Sequence, residues 1–462
     1  MIAMSLQELA GVVAGECPSA AAEVRVDSMS TDTRALRPGD LFLALDGESF
    51  RGADFSAAAF KAGAVAVVAV MDKSEAESAD GPVVRVRDAL EALTKLAQFV
   101  RSKLSAKVVA ITGSVGKTTT KDALASILSD RFKVVASPAS FNNRIGVPLT
   151  ILEADQNTEV LILEIGASLP GEIAALAKLA RPDVAVITAV AAAHLEGFGD
   201  LATVFAEKIS LGVALAEDGL FLVNGDDENL RGEFPRPMQR YGFGQGLEWP
   251  GFPAPSGDGQ LAFRTSAQGP VIYAALLGEH NLQNLLAAVS VAIYLGMSET
   301  EIAQAAANIK APRWRMELRR VRGAEILLDC YNANPHSMRA ALTTLARRPA
   351  GARRLAILGD MAELGTDAAV QHLELKDAVA MSKVAKALLV GPLMSAAKSA
   401  FANAASNTVF ECCKDAAQAA LWLQHELRPG DLVLVKGSRA MRLERVVAGI
   451  SDGEPRKRGT LA

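Results

Sequence analysis

Residues 113 to 119, Gly113-Ser114-Val115-Gly116-Lys117-Thr118-Thr119, set a lysine and two hydroxyls directly behind a pair of closely spaced glycines. That combination suits a polyphosphate. Glycine lets the backbone curl around an anion, and a helix opening at Lys117 adds unpaired N–H groups and the positive end of its dipole. Lys117 can reach terminal phosphates, and the Thr118 hydroxyl can ligate magnesium. The usual phosphate loop has four residues between its glycines, whereas this one has only Ser114 and Val115, so it is a short variant. The plainer alternative is a glycine turn beside a surface lysine. Context argues against it: Val108-Val109-Ala110-Ile111 reads as a buried strand before the loop, and an amphipathic helix runs after it to Ser129.

Other chemistry-bearing positions follow strands. Val160-Leu161-Ile162-Leu163 ends in Glu164, where nucleotide-hydrolysing folds keep a magnesium-directed acid. A strand from Val184 to Val190 leads to His194, which by itself fits a structural role as readily as a ligand role. His280, Asn281 and Asn284 open a helix, and the two amides, three apart, either read a base edge or cap the helix. Lys208 lies in the helical stretch Val204 to Ile209 and on composition alone reads as a solvated lysine.

The elements that position these groups alternate as in an α/β protein. A chain of 462 residues is too long for one core, and three domains are expected: 1–87, 88–311 and 312–462. The first is a small α/β unit, with a Pro38-Gly39-Asp40 turn feeding a strand, a helix from Asp54 to Gly63 and a strand from Ala64 to Val70. Its polar cluster Ser30-Thr31-Asp32-Thr33-Arg34 reads as a turn. The second, entered through an amphipathic helix from Asp88 to Leu104, is a parallel sheet built around the phosphate loop, with a stretch of loop or irregular hairpins from Tyr241 to Gly259. Ala311-Pro312 breaks the helical pattern. Beyond it, strands at 325–329, 354–359, 387–391 and 432–436 and helices at 337–347 and 372–381 predict a second doubly wound, Rossmann-like sheet. Its strand ends carry Asp329-Cys330-Tyr331-Asn332-Ala333-Asn334-Pro335 and Lys436-Gly437-Ser438-Arg439, where ligands of such folds sit.

Composition excludes several classes. A formal net charge of −4 without a long basic stripe argues against nucleic acid as partner. The longest apolar runs, near Ala62–Met71 and Val184–Ala193, are about half the roughly 20 residues of a membrane helix. Residues 1–10 lack a basic, then apolar, secretory pattern. The four cysteines lack zinc spacing, and a reducing, cytoplasmic setting fits them.

Taken together, these segments resemble the Mur ligases of bacterial peptidoglycan synthesis over nearly the whole chain. Residues 113–119 match the family's own short phosphate loop. His280-Asn281 with Asn284 looks like its adenine-side helix, Arg315 like its nucleotide-contacting arginine, and Asp329 like its ribose-side aspartate. Ser30 to Arg34, with Pro38 to Phe42, resembles the uridine-diphosphate-binding unit, which implies that Ser30, Thr31, Asp32 and Arg34 contact that substrate. Ser140-Phe141-Asn142-Asn143-Arg144, His194-Leu195-Glu196-Gly197 and Asp329 to Pro335 look like the dipeptide-adding branch. The resemblance implies substrates UDP-N-acetylmuramoyl-tripeptide and D-alanyl-D-alanine, contacts from Asn142, Asn143, Tyr331, Asn332, Asn334, Lys436 and Ser438, and a monomer. It also implies ATP with two magnesium ions, held by Thr118, Glu164, His194 and a carbamylated Lys208, and an acyl-phosphate intermediate. Ala53 and Trp314 depart from the pattern, since relatives often carry His and Gly there. The rivals are a folylpolyglutamate synthase, which would lack the Ser30–Phe42 pattern, and a nucleotide-driven switch, for which no Asn-Lys-x-Asp motif is present.

Overall fold

Short aliphatic runs bounded by turns build two parallel sheets and a third that is parallel but for one edge strand. A computed structural model describes residues 1–192, 195–255, 261–348 and 353–450. The first sheet holds β1 (Met29–Ser30), β2 (Leu41–Leu43), β3 (Ala66–Ala69) and β4 (Val83–Arg85), in that order and all parallel. The expected helix at 54–63 begins as a 3-10 turn, Gly52–Phe55, and continues as Ser56–Lys61.

Helix α1 (Ala89–Lys103) starts where the Asp88 carboxylate accepts the Leu90 and Glu91 N–H groups. Its buried stripe, Ala89, Ala92, Leu93, Leu96, Ala97 and Val100, has helical spacing. That stripe packs in one core with Leu41 and Leu43 of the first sheet and Val108 and Ala110 of the second. The two units are therefore fastened together by shared apolar surface.

The second sheet contains β5 (Lys107–Thr112), followed by α2 (Lys117–Leu128), β6 (Val134–Ala136), β7 (Val160–Glu164), α3 (Glu172–Ala180), β8 (Val184–Ile187), α4 (Leu201–Ile209), β9 (Leu220–Asn224), β10 (Gln239–Gly242) and β11 (Trp249–Pro250). Its order is β11-β10-β9-β8-β5-β7-β6. The chain winds to one side of β5 and then to the other, so the loop after β5 lies at the switch point where α/β sheets bind ligands. The stretch read as loop or irregular hairpins from Tyr241 on supplies the end of β10, β11 and an edge strand, Phe252–Pro253, of a small antiparallel sheet. Residues 256–260 of that stretch lie outside the described residues. Helix α5 (His280–Tyr294) covers α2.

The third sheet runs β12 (Glu317–Val321), β13 (Ala324–Asp329), then α6 (Pro335–Arg347), β14 (Arg354–Gly359), β15 (Lys386–Val390), β16 (Val409–Cys413) and β17 (Leu432–Lys436), in spatial order β12-β13-β17-β14-β15-β16. Separate apolar cores lie on its two faces, as a doubly wound sheet requires. The charged sequence of β12 (Glu317-Leu318-Arg319-Arg320-Val321) gave no strand signal, yet it pairs antiparallel along the edge of β13, where one face stays in water. The helix expected at 372–381 is two short ones, Ala368–Leu373 and Lys376–Met381.

Candidate active site

The loop after β5 threads between the end of β8 and the start of α5, and both glycines are required by that passage. Gly113 has φ +149° and Gly116 φ +88°, and a Cβ would sit 2.1 Å from Thr188 Oγ1 and 2.2 Å from Asn284 Oδ1, respectively. Thr188 is the loop's tether: its hydroxyl is 2.6 Å from the Val115 carbonyl and 3.1 Å from that of Thr112. The Ser114 N–H donates to Ala189 O at 2.7 Å, and its hydroxyl donates to Ala191 O at 2.9 Å. A loop so held presents its remaining N–H groups without reorganisation.

Lys117 leads α2 and folds back, its Nζ donating to Gly113 O at 2.6 Å. Burial lowers its pKa, and Arg315 adds to that while Glu164 opposes it. The Thr118 hydroxyl donates to Glu164 Oε2 at 2.8 Å, and Asn142 Nδ2 donates to Glu164 Oε1, also at 2.8 Å. Glu164 is buried at the end of β7. Among the described residues no cluster of three or more His, Cys, Asp or Glu could hold a metal unaided. Magnesium does not need one: it takes a hydroxyl and one carboxylate beside phosphate oxygens and water, and the Thr118–Glu164 pair is that donor set. The site fits the ion.

Lys208, on α4, is 2% exposed and so is not the solvated lysine that composition suggests. Its ammonium lies 5.4 Å from the centre of the Phe198 ring and has no hydrogen-bond partner among the described residues. The adjacent Glu207 carboxylate is committed to the Gly171 and Ile173 N–H groups at the start of α3, each at 2.7 Å. Burial first, and the Lys117 charge second, bring Lys208 down to about 7 against the opposing pull of Glu207 and Glu172. His194 lies outside the described residues.

On the far side of the loop, burial holds His280 to about 4, so it is neutral at pH 7. The amides of α5 serve the fold: Asn281 Nδ2 donates to Leu277 O at 2.7 Å, and Asn284 Nδ2 donates to Asn281 Oδ1 at 2.8 Å. Asn284 is thereby the wall against which Gly116 packs.

The third sheet closes the site. Its carboxyl edge and the phosphate loop enclose a cavity of about 730 Å³, lined by Ser114 to Thr119, Asn142, Glu164, His280, Asn281 and Asn284 from one side. Arg315, Asp329, Tyr331, Asn332, Asn334 and Lys436 line it from the other. The Arg315 guanidinium stacks 4.3 Å over the Tyr331 ring and reaches within 3.5 Å of Ser140 Oγ. Lys436, 1% exposed, pairs with Asp329 at 2.7 Å and donates to Asn332 O at 3.1 Å. Asn334 caps α6 by accepting the Ser337 N–H. Ser438 and Asn143 do not line the cavity: Ser438 accepts the Ala362 N–H at 2.7 Å, and Asn143 accepts those of Ile145 and Gly146. Ser30, Thr31, Asp32 and Arg34 also lie outside it, just past the carboxyl end of β1, where Arg34 holds Asp32 down to about 2.

Sequence reasoning missed Thr188, and it missed Asn224, Asp226, Asp227 and His336, which also line the cavity. Asn224-Gly225-Asp226-Asp227 closes an apolar strand with a polar loop, the same signal that singled out Glu164. Thr188 ends a strand too, but its role depends on the backbone it faces, which no local pattern encodes.

A short phosphate loop at the switch point of a parallel sheet, faced across a cleft by a second doubly wound sheet, defines a nucleotide-dependent enzyme. Profiles of the Mur ligase family match three segments: the catalytic domain of the family at residues 25–101, the middle domain at 111–292 and the glutamate ligase domain at 314–439. The UDP-N-acetylmuramoyl-tripeptide--D-alanyl-D-alanine ligase of Bacillus subtilis (strain 168) is 32% identical over 458 residues, covering 98% of this chain and 99% of its own. A crystal structure of MurF from Acinetobacter baumannii superposes with a TM-score of 0.84 at 27% identity, covering 97% and 98% of the two chains. The Thermotoga maritima MurF ligase in complex with ADP gives 0.79 at 29% identity, covering 92% and 97%. The chain belongs to the Mur ligase family.

The tether can be tested at Thr188, which lines the cavity while its hydroxyl is turned to the loop's own carbonyls. Thr188→Val keeps the shape but strands the Val115 carbonyl, while that of Thr112 keeps the backbone N–H of residue 188 at 2.9 Å. It should lower stability in a denaturant titration by about 1–2 kcal/mol and raise the KM for ATP about three- to ten-fold. An unchanged KM for ATP would show that the loop does not depend on this hydroxyl.

Proposed function

We propose that this chain joins D-alanyl-D-alanine to UDP-N-acetylmuramoyl-tripeptide, with ATP converted to ADP and phosphate, as a cytoplasmic step in building the peptidoglycan precursor. The observation that carries this is the convergence of Lys117, Thr118 and Glu164 with Arg315 across one cleft, in a chain whose similarity to ligases of this specificity runs end to end. No helix among the described residues is long and apolar enough to cross a membrane. The chain acts as a monomer with domains at 1–87, 88–311 and 312–462.

The roles follow from position. Ser30, Thr31, Asp32 and Arg34 hold the uridine diphosphate at the carboxyl end of the first sheet. The phosphate loop, Lys117 and Arg315 bind and orient the ATP phosphates, and His280 and Asp329 flank the nucleoside. Asn142 and Asn143 shape the wall beside Glu164, while Tyr331, Asn332 and Asn334 face the dipeptide and Lys436 and Ser438 brace the strand end behind them. Thr118 and Glu164 would hold one magnesium, and Glu164, His194 and a carbamylated Lys208 would hold a second; when bound, the ions would neutralise phosphate oxygens. The peptide carboxylate attacks the terminal phosphorus and ADP departs; the dipeptide amine then attacks the acyl carbon, loses a proton and releases phosphate. Closure of the third sheet over the loop keeps water from the acyl phosphate between those steps.

Phosphate release measured with purified protein should require ATP, the UDP-tripeptide and D-alanyl-D-alanine together. Release that ignores the dipeptide, or that proceeds with a folate and glutamate instead, would refute the assignment.

Lys208 gives a second test. Carbamylation uses the neutral amine, so its extent at fixed carbon dioxide should rise as pH climbs through about 7. Lys208→Ala should lose about 100-fold in kcat, the scale of losing a group that orders a metal site, and recover in part with short carboxylic acids. Full activity in the variant, or a loss that no carboxylate rescues, would rule the carbamate out.

A further inference from the structure

Arg315 is the one cleft cation carried on the connection between the second and third sheets, and the backbone on both sides of it is strained. Trp314 has φ +59° and Met316 φ +51°, left-handed values that a side chain adopts only when its surroundings enforce them. What enforces them is visible. The Trp314 indole is stacked between two guanidiniums, Arg313 and Arg439, each 4.3 Å from the ring centre. The Trp314 backbone N–H donates to Glu317 Oε2 at 2.9 Å, and its backbone carbonyl accepts the Tyr331 N–H at 3.2 Å. Met316 is buried and its N–H donates to Asp329 Oδ1 at 3.2 Å, the carboxylate that Lys436 also holds. Every one of these anchors except Arg313 belongs to the third sheet or the loops at its carboxyl edge. The side chain they frame points the other way, to Ser140 beside Thr118.

We propose that the Arg313–Trp314–Arg439 stack is a clasp that holds residues 314–316 in their strained form and so aims Arg315 at the nucleotide phosphates, which makes Trp314 a positioning residue. The clasp ties the direction of Arg315 to the third sheet, so the cation is delivered only when that sheet sits over the phosphate loop. A residue serving only to anchor the connection would need neither the left-handed backbone nor two cations on its ring. Trp314 packs against the third sheet's core with one edge, so a structural contribution exists as well and the test must separate the two.

The proposal rests on Arg315 contacting ATP. Affinity for a non-hydrolysable ATP analogue with magnesium, and the KM values for ATP and for the UDP-tripeptide, should be measured for Trp314→Ala, Arg315→Ala and the double variant. Trp314→Ala should weaken the analogue about ten-fold and raise the KM for ATP to match, with the KM for the UDP-tripeptide changed less than about two-fold. On the Arg315→Ala background it should produce no further loss, because a clasp that acts through Arg315 has nothing left to aim. Trp314→Phe should restore most of the affinity. If Trp314→Ala does not fold, Arg439→Gln, which removes one of the two stacked guanidiniums together with its ion pair to Glu444, should give the same pattern. Equal losses with and without Arg315, equal effects on both KM values, or no loss at all would overturn the clasp. Wild-type affinity in Arg315→Ala would instead remove the site assignment beneath it.

Discussion

Positive charge drawn partly out of water beside the phosphate loop, with no ion pair to a carboxylate among the described residues, is the constraint on which this structure turns. Lys117 is lowered by burial, Lys208 by burial and by the charge of Lys117, and Arg315 stands close enough to press on Lys117 as well. The nearest acid, Glu164, is shared with Thr118 and Asn142. Asp226, Asp227 and Asp329 line the same cavity without pairing with Lys117 or Arg315, so the loop end of the cleft still lacks a counter-anion, and a nucleotide polyphosphate supplies one.

The rest of the fold holds that cleft from two sides. Thr188, Ser114 and Asn284 pin the phosphate loop from β8 and α5, so its N–H groups are aimed before any ligand arrives. The third sheet meets the second around the start of α5. There Gly278, with φ +90°, lies so near Thr344 of α6 that a Cβ would come within 2.7 Å of its hydroxyl, and Glu279 pairs with Arg347.

Much of this was legible in the chain. The strand, loop and helix around Lys117, Glu164 at a strand end and the second α/β alternation all show in local periodicity, because buried parallel strands are continuous apolar runs. The mismatches have physical causes. β12 is charged on an edge that needs only one covered face, and β10 and β11 sit in a Gly- and Pro-rich stretch that reads as loop or irregular hairpins. Lys208 is the sharpest case: within Val204 to Ile209 nothing distinguishes a buried lysine from a solvated one, and only its placement behind the phosphate loop does so. Asn281, Asn284 and Asn334 resolve as caps and braces, a choice that sequence alone leaves open because an amide binds backbone or ligand with the same groups.

The account stands most directly on the affinity of the cleft for ATP, measured by titration calorimetry at two salt concentrations with wild-type protein and Lys117→Ala. Binding should weaken at the higher salt, and the variant, folded to the same melting temperature within a few degrees, should lose at least about ten-fold, or 1.4 kcal/mol, in affinity. Equal ATP affinity in the two proteins would contradict the claim that buried, unpaired cations are what the nucleotide completes.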